Sequence, residues 1–135
     1  MNHLIRQANL HDRIICDSAG TSSYHIGSLP DSRMRSAAAK RGIKMEGRAR
    51  QFEFSDFPKF DLILAMDRQN YRDILSLDRQ GHYKEKVEMI CDYAGQYSLG
   101  EVPDPYYGGA EGFNLVIDLL LDACSNLLEE VKSKI

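Results

Sequence analysis

The strongest constraint on the fold is the apolar periodicity of the C-terminal part of the chain. Apolar side chains recur there at spacings of three and four residues, which is the pattern of a helix with one buried face. The residues of this face are Phe113, Val116, Ile117, Leu120, Leu121, Cys124, Leu127, Leu128 and Val131. Because so wide an apolar face needs an apolar partner surface, we predict that this helix covers a sheet.

Three short apolar runs earlier in the chain have the length and polar flanks of buried strands. They are Arg13 to Asp17, Leu62 to Met66, and Val87 to Ile90. A loop rich in glycine and serine follows the first run, and a loop with two prolines follows the third.

Helix signals follow the first two runs. Asp31 and Ser32 can cap a helix over residues 33–41, and Gly42 stands where a left-handed cap would end it. Asp67 can cap a helix from about residue 68 to residue 75. Strands that alternate with helices predict a parallel sheet with helices on both faces, and such sheets bind ligands beyond the carboxyl ends of their strands. We therefore predict an α/β fold in a single domain over residues 1–135.

Composition excludes several classes of protein. The net charge is −3 and Lys and Arg are not clustered, so we expect no nucleic-acid partner and no binding to an anionic membrane. No run approaches the ~18 consecutive apolar residues of a membrane span, and the first residues lack the apolar core of a signal peptide. These features favour a cytoplasmic protein.

The three cysteines and four histidines indicate neither a disulfide framework nor a metal site. An odd number of widely spaced cysteines does not form the bridges of a small secreted domain. The histidines lie far apart, without an HExxH or CxxC companion. Cys16, Cys91 and Cys124 each belong to an apolar run or face, so we predict buried thiols rather than nucleophiles, with no metal and no cofactor.

Three segments together resemble the low-molecular-weight protein tyrosine phosphatases. They are DSAGTSSYHIGSLPDSR at residues 17–33, GRARQF with DFPKFDLILAMD within residues 47–67, and VPDPYYGG at residues 102–109. The resemblance implies a flavodoxin-like, three-layer α/β/α fold whose four-stranded parallel sheet has the order 2-1-3-4. It also implies hydrolysis of a phosphotyrosine-containing protein or a small aryl phosphate through a cysteinyl-phosphate intermediate.

The resemblance also implies roles for individual residues. Asp104 would be the general acid that protonates the leaving-group oxygen, and Ser18 would support the phosphate-binding loop by a hydrogen bond. Independently of the family, Pro103 and Pro105 restrict the backbone on both sides of Asp104, so its carboxyl group is held on a stiff loop. The walls of the cleft, whose rings could stack on a phosphotyrosine, would be Tyr24, His25, Tyr106 and Tyr107.

The nucleophile of that family does not occur among these residues. The family uses a cysteine in a Cys-x5-Arg loop after its first strand, and no cysteine here has Arg six positions later. We therefore expect the chain to be truncated, lacking the inner first strand and its loop, and to be inactive by itself. The helical spacing of Met1, Leu4 and Ile5 without an N-cap residue supports this expectation.

Two other functions stay open. The chain could be a non-catalytic, phosphatase-like remnant that acts as a binding module, although the retained VPDPYYGG loop argues against this. Arsenate reductase activity on the same fold ranks last, because it needs the same cysteine and a second redox cysteine. In each case a missing inner strand would leave two apolar strand edges open, so we expect self-association.

Overall fold

The computed structural model describes residues 1–21, 27, 29–45, 47, 49–97, 99–105 and 109–135. The helices are α1 (Asn2–Gln7), α2 (Ser32–Ala39), α3 (Asp56–Lys59), α4 (Arg68–Leu77) and α5 (Gly109–Lys132). The strands are β1 (Ile63–Ala65) and β2 (Val87–Met89), and short 3-10 turns at Lys84–Lys86 and Ile90–Tyr93 flank β2. Within the described ranges, no helix is long and apolar enough to cross a bilayer.

The two strands form a parallel pair, with Ile63 opposite Val87 and Ala65 opposite Met89. Side chains of β1 alternate between two apolar clusters, as the period of a strand requires. Ile63 and Ala65 belong to the cluster that contains α4, whereas Leu64 packs against the cluster that contains α5. Helices therefore lie on both faces of a parallel sheet, and the predicted α/β class is confirmed.

Side-chain caps begin both predicted helices after the first two runs. Asp31 accepts hydrogen bonds from the backbone N–H groups of Arg33 and Met34, at 2.8 and 3.4 Å, and begins α2. Asp67 accepts a hydrogen bond from the Asn70 N–H at 2.7 Å and begins α4. Gly42 adopts a φ of +74° just after α2. These caps depend only on local chemistry, so the sequence predicted them correctly.

Helix α5 packs as predicted, but its most buried residues differ from the predicted face. Leu119 and Ala123 are fully buried, whereas Leu120 and Leu121 are only half-buried. Leu119 and Ala123 belong to the same buried cluster as Ile90 of the 3-10 turn after β2. The helix covers this turn as well as one face of the sheet, so Leu119 and Ala123 are more buried than a simple count of apolar residues predicts.

The prediction of a strand over Arg13 to Asp17 is wrong. The structure assigns no regular secondary structure to residues 14–19, and Ile15 is 86% exposed. Strand pairing near this segment is limited to one parallel bridge between Gly20 and Gln51. An apolar run supplies a tendency to be buried, but a strand also needs a neighbouring backbone, and this segment has no ladder partner among the described residues.

Helix α3 was not predicted, because a single helical turn carries too little periodicity. It contains Phe57, which is fully buried at the centre of an aromatic group. The Phe57 ring stacks on Tyr83 at 5.1 Å and meets Phe52 edge-on at 5.2 Å. Such aromatic pairs stabilise a core by more than the area that they bury accounts for.

Self-association through open strand edges stays a prediction.

Truncation of one core leucine tests the packing of α5. Leu119→Ala should lower the free energy of unfolding by about 2–5 kcal/mol, because it leaves a cavity in the core. Leu115→Ala, on the same helix but 38% exposed, should cost far less. Urea denaturation of both variants measures the difference, and equal losses would contradict the assignment of Leu119 to the core.

Candidate active site

The loop that carries Asp104 is tied to the carboxyl end of β1. The Val102 N–H donates a hydrogen bond to the Met66 carbonyl at 2.9 Å. The Glu101 carboxylate accepts a hydrogen bond from the Arg68 N–H at 2.7 Å, at the start of α4. A carboxylate is favoured there, because unpaired N–H groups and the helix dipole make the beginning of a helix positive.

The segment Asp17 to Thr21 reaches the same edge of the sheet. The Asn70 side-chain amide, in the first turn of α4, donates a hydrogen bond to the Thr21 hydroxyl at 3.2 Å. Asp17 accepts a hydrogen bond from the Ser18 N–H at 2.8 Å, and Ser18 is exposed. Two loops far apart in sequence thus meet at the N-terminus of α4, which is the edge where parallel sheets bind ligands.

Arg50 anchors the start of the Asp17 segment by binding two carboxylates. Its Nε donates to Asp17 at 3.1 Å, and its Nη1 donates to Asp56 at 2.9 Å. Asp56 is buried and also accepts a hydrogen bond from the Glu53 N–H at 2.8 Å. Although burial by itself would raise the pKa of Asp56, these hydrogen bonds and the charge of Arg50 hold that pKa below its ordinary value.

Asp104 is exposed between two half-buried prolines. The loop also touches α5: a Cβ atom on Gly112 would lie 2.7 Å from the Pro105 carbonyl oxygen. No side chain fits at that distance unless the loop or the helix moves. Gly112 therefore allows the first turns of α5 to pack closely against the loop that carries the predicted acid.

The four predicted cleft residues lie outside the described residues. These are Tyr24, His25, Tyr106 and Tyr107. Their contribution to a cleft therefore stays a prediction. Of the predicted site residues, the described ones are Ser18 and Asp104, and their segments are brought to the same edge of the sheet by contacts with α4 and β1.

The three thiols are poorly suited to nucleophilic attack. Cys91 and Cys124 are buried, as predicted, whereas the prediction for Cys16 is wrong, because this residue is only half-buried. Burial raises the pKa of all three thiols above the ordinary value, which disfavours the reactive thiolate. Among the described residues, no group of three His, Cys, Asp or Glu side chains is placed to hold a metal ion.

Sequence reasoning missed the roles of Asp56 and Gly112. An aspartate at the start of a short helix is usually an exposed residue or a cap, so nothing in the sequence marks Asp56 as a buried partner of Arg50. Gly112 is one glycine among several near the start of α5, and only the fold shows that Pro105 approaches it. Asp67, by contrast, is the helix cap that the sequence predicted.

Comparisons with known proteins agree on one family. The sequence model of the family described as low molecular weight phosphotyrosine protein phosphatase matches residues 1–135. A Synechocystis protein named as a low molecular weight protein-tyrosine-phosphatase is 61% identical over 128 residues, which is 95% of this chain and 82% of that protein. The low molecular weight phosphotyrosine protein phosphatase of Rattus norvegicus is 38% identical over 128 residues, covering 94% of this chain and 80% of that protein.

A solved structure gives the same result. The crystal structure of a protein tyrosine phosphatase from Entamoeba histolytica with Hepes in the active site superimposes with a TM-score of 0.92 at 44% identity. The match covers 98% of this chain and 85% of that chain. The comparison by sequence and the comparison by backbone shape therefore agree.

The ion pairs of Arg50 should make part of the stability dependent on pH. A lowered Asp56 pKa contributes stability that is fully present above the unfolded value of about 3.8–3.9 and is lost as the pH falls through the folded value. Arg50→Gln should lower the free energy of unfolding by about 1–3 kcal/mol at pH 7, because it removes hydrogen bonds to charged partners. This difference in free energy from the unmodified chain should become smaller below pH 4.

Urea denaturation between pH 3 and pH 7 measures this dependence. Arg79→Gln removes the same charge from an exposed position, and it should leave both the stability and its pH profile close to those of the unmodified chain. If the loss of unfolding free energy in Arg50→Gln stays constant from pH 7 to pH 3, Asp56 is not held ionised by Arg50.

The close approach at Gly112 predicts a local effect on the loop. Gly112→Ala should displace Pro105 and weaken the Val102 hydrogen bond to Met66, so amide hydrogen exchange should become faster at Val102. Glu111→Ala, an exposed neighbour in the same helical turn, is the control. Unchanged exchange at Val102 in Gly112→Ala would mean that the loop does not depend on this contact.

Proposed function

Because the chain belongs to the low-molecular-weight phosphotyrosine protein phosphatase family, we propose that it carries the general acid and the substrate cleft of a protein tyrosine phosphatase. The substrate would be phosphotyrosine in a protein or a small aryl phosphate. The observation that carries this proposal is the tie between the Asp104 loop and the carboxyl end of β1, made by the Val102 hydrogen bond to Met66. It supports a position for Asp104 at the ligand-binding edge of the sheet.

In the proposed reaction, a cysteine thiolate attacks phosphorus and forms a sulfur–phosphorus bond. The bond from phosphorus to the leaving oxygen breaks, and Asp104 donates its proton to that oxygen. Water then attacks the phosphorus of the cysteinyl phosphate, and Asp104 accepts a proton from that water. The sulfur–phosphorus bond breaks, which releases phosphate and regenerates the thiolate. A positioned acid of this kind contributes about 10²- to 10⁴-fold to the rate.

The 135 residues do not themselves provide that thiolate. They contain no Cys-x5-Arg sequence, and burial raises the pKa of each of the three thiols. We therefore propose that this chain alone does not hydrolyse phosphate esters, and that catalysis requires a Cys-x5-Arg loop at the same sheet edge. Such a loop would add the backbone N–H groups and the guanidinium that neutralise a phosphate.

The finer arrangement of the sheet follows from the same proposal. In the four-stranded order 2-1-3-4, the strand before the nucleophile loop lies between the segment at residues 13–17 and β1. The absence of ladder pairing for residues 14–19 among the described residues supports this order. A chain without that strand would expose two backbone edges, which favours self-association.

The remaining site residues are proposed on the family pattern. Ser18 would support the phosphate loop, and its exposure beside Asp17 leaves its hydroxyl accessible. Aromatic walls for the phosphotyrosine ring would come from Tyr24, His25, Tyr106 and Tyr107. We propose a cytoplasmic location for the whole protein, because phosphotyrosine substrates and reduced thiols are compatible with that compartment.

A second candidate function is a binding module without hydrolysis. It is favoured by one specific observation, the lack of a Cys-x5-Arg sequence in the 135 residues. Such a module would keep the cleft and bind a phosphotyrosine-like ligand or a partner protein. Arsenate reductase activity on this fold ranks below both, since it needs the same nucleophile and a second redox cysteine.

Three proteins separate these functions. They are the chain itself, the chain extended before Met1 by a strand and Cys-x5-Arg loop of the family, and the extended chain with Asp104→Ala. We expect turnover of phosphotyrosine only in the extended forms. Asp104→Ala should lower this turnover by about 10²- to 10⁴-fold, with a smaller loss for an aryl phosphate whose leaving group needs no proton.

Asp61→Ala in the extended chain is the control, because Asp61 is an exposed aspartate before β1. It should leave kcat unchanged. An extended chain that binds phosphotyrosine without turnover would favour the binding module. Equal losses for good and poor leaving groups in Asp104→Ala would show that Asp104 is not the acid.

A further inference from the structure

A concentration of positive charge distinguishes α2 and the residues after it from the rest of the chain. Residues 31–45 contain five Lys or Arg and one Asp, a net charge of +4, whereas the whole chain carries −3. An acidic chain with a basic segment of this kind has an uneven field, which attracts anionic groups to that segment. The proposed reaction does not use any of these cations.

One face of this helix lines a groove against α5. The groove has a volume of about 380 Å³ and is lined by Ser32, Arg33, Ser36, Ala37, Lys40, Phe113 and Asn114. We call it the basic groove. The α2 residues in it are spaced as on one helical face, so their side chains point the same way. The groove thus combines two cations with the hydroxyl groups of two serines and the side-chain amide of an asparagine.

The cations of the groove are held in different ways. Arg33 lies over the Phe113 ring at 5.1 Å and pairs with the Asp31 carboxylate at 3.3 Å, while its side chain stays 57% exposed. Lys40 is exposed one helical turn beyond Ser36, and it makes no ion pair with a described carboxylate. Arg41 is tied to Asp118 of α5, which fixes α2 against α5 at this end of the groove.

The basic groove begins beside the loop of the proposed general acid. Gly112, where an added Cβ atom would lie 2.7 Å from the Pro105 carbonyl oxygen, directly precedes Phe113 and Asn114 of the groove. A peptide whose phosphorylated residue lies near Asp104 could therefore continue into the groove. Its flanking residues would meet Arg33 first and then Lys40, just after the end of α2.

From this placement we propose that the basic groove binds an acidic segment, rich in Asp or Glu, of a protein substrate next to the residue that is dephosphorylated. The proposal rests on the proposed phosphatase function for its link to catalysis. Charge complementarity carries the choice of occupant, because carboxylates offer the acceptors that Arg33, Lys40 and the groove hydroxyl groups can pair with.

Binding to the groove can be tested on the chain as it is, without catalysis. The probe is a hexaglutamate peptide, compared with a hexaglutamine peptide, in an NMR titration at 150 mM salt. Lys40→Gln should weaken hexaglutamate binding by about two- to fivefold, the effect of losing one exposed ion pair. Arg35→Gln removes the same charge from an α2 residue outside the groove, and it should leave the affinity unchanged.

Three results would overturn the proposal: equal binding of the two peptides, equal effects of the two substitutions, or binding of a DNA oligonucleotide of the same charge as tightly as hexaglutamate. The last result would make the groove a general polyanion site. Shifts that map to Ser36, Lys40 and Asn114 would support the proposal.

The link to catalysis needs the extended chain. For a phosphotyrosine peptide with acidic flanks, Lys40→Gln should raise KM by two- to fivefold and leave kcat unchanged, with no effect on a peptide with neutral flanks. An extended chain that does not turn over phosphotyrosine would overturn the phosphatase function but leave the hexaglutamate result standing. Turnover with no difference between the two peptides would overturn the substrate role of the groove.

Discussion

The burial of α5 against the 3-10 turn after β2 is the contact on which the rest of the structure depends. Leu119 and Ala123 are fully buried there, and Ile90 is 2% exposed. The described sheet has only two short strands, so its backbone hydrogen bonds alone would not order it. Apolar burial by one long helix fixes where β2 ends and where the loop that follows can run. That loop returns past β1 and carries Asp104 to the start of the same helix.

A second constraint acts at the opposite end of the site, through the guanidinium of Arg50. This single side chain bridges the exposed Asp17 and the buried Asp56, so the segment before Ser18 is joined to the aromatic core around Phe57. A buried carboxylate is costly unless it is paired and hydrogen-bonded, and Asp56 has both kinds of partner. The two loops of the candidate site are therefore anchored independently. Ion pairs with Arg50 anchor the Asp17 segment, whereas a backbone hydrogen bond to Met66 and contact with α5 anchor the Asp104 loop. The two loops meet at the N-terminus of α4.

The parts of the fold that depend on local chemistry could be predicted from the sequence. The caps at Asp31 and Asp67 need only a carboxylate at the right distance before a helix. The role of Asp104, which rests on the family motif, stays a prediction. The strand over Arg13 to Asp17 could not be judged in this way, because its pairing depends on a neighbouring backbone rather than on its own residues. For the same reason the Arg50 bridge and the contact at Gly112 became visible only once distant segments were brought together.

The charges at the candidate site have a consequence for how a phosphate could be bound. The described charges at that edge include the carboxylates of Asp17, Asp67, Glu101 and Asp104. The guanidinium groups of Arg50 and Arg68 are the cations described there, and both are already paired with carboxylates of the chain. A phosphate dianion placed there meets more repulsion than attraction from these residues, unless N–H donors and a further cation surround it. The anion cradle of the proposed reaction therefore has to bring its own cation and N–H donors to this edge, because the described cations there are already paired with carboxylates of the chain.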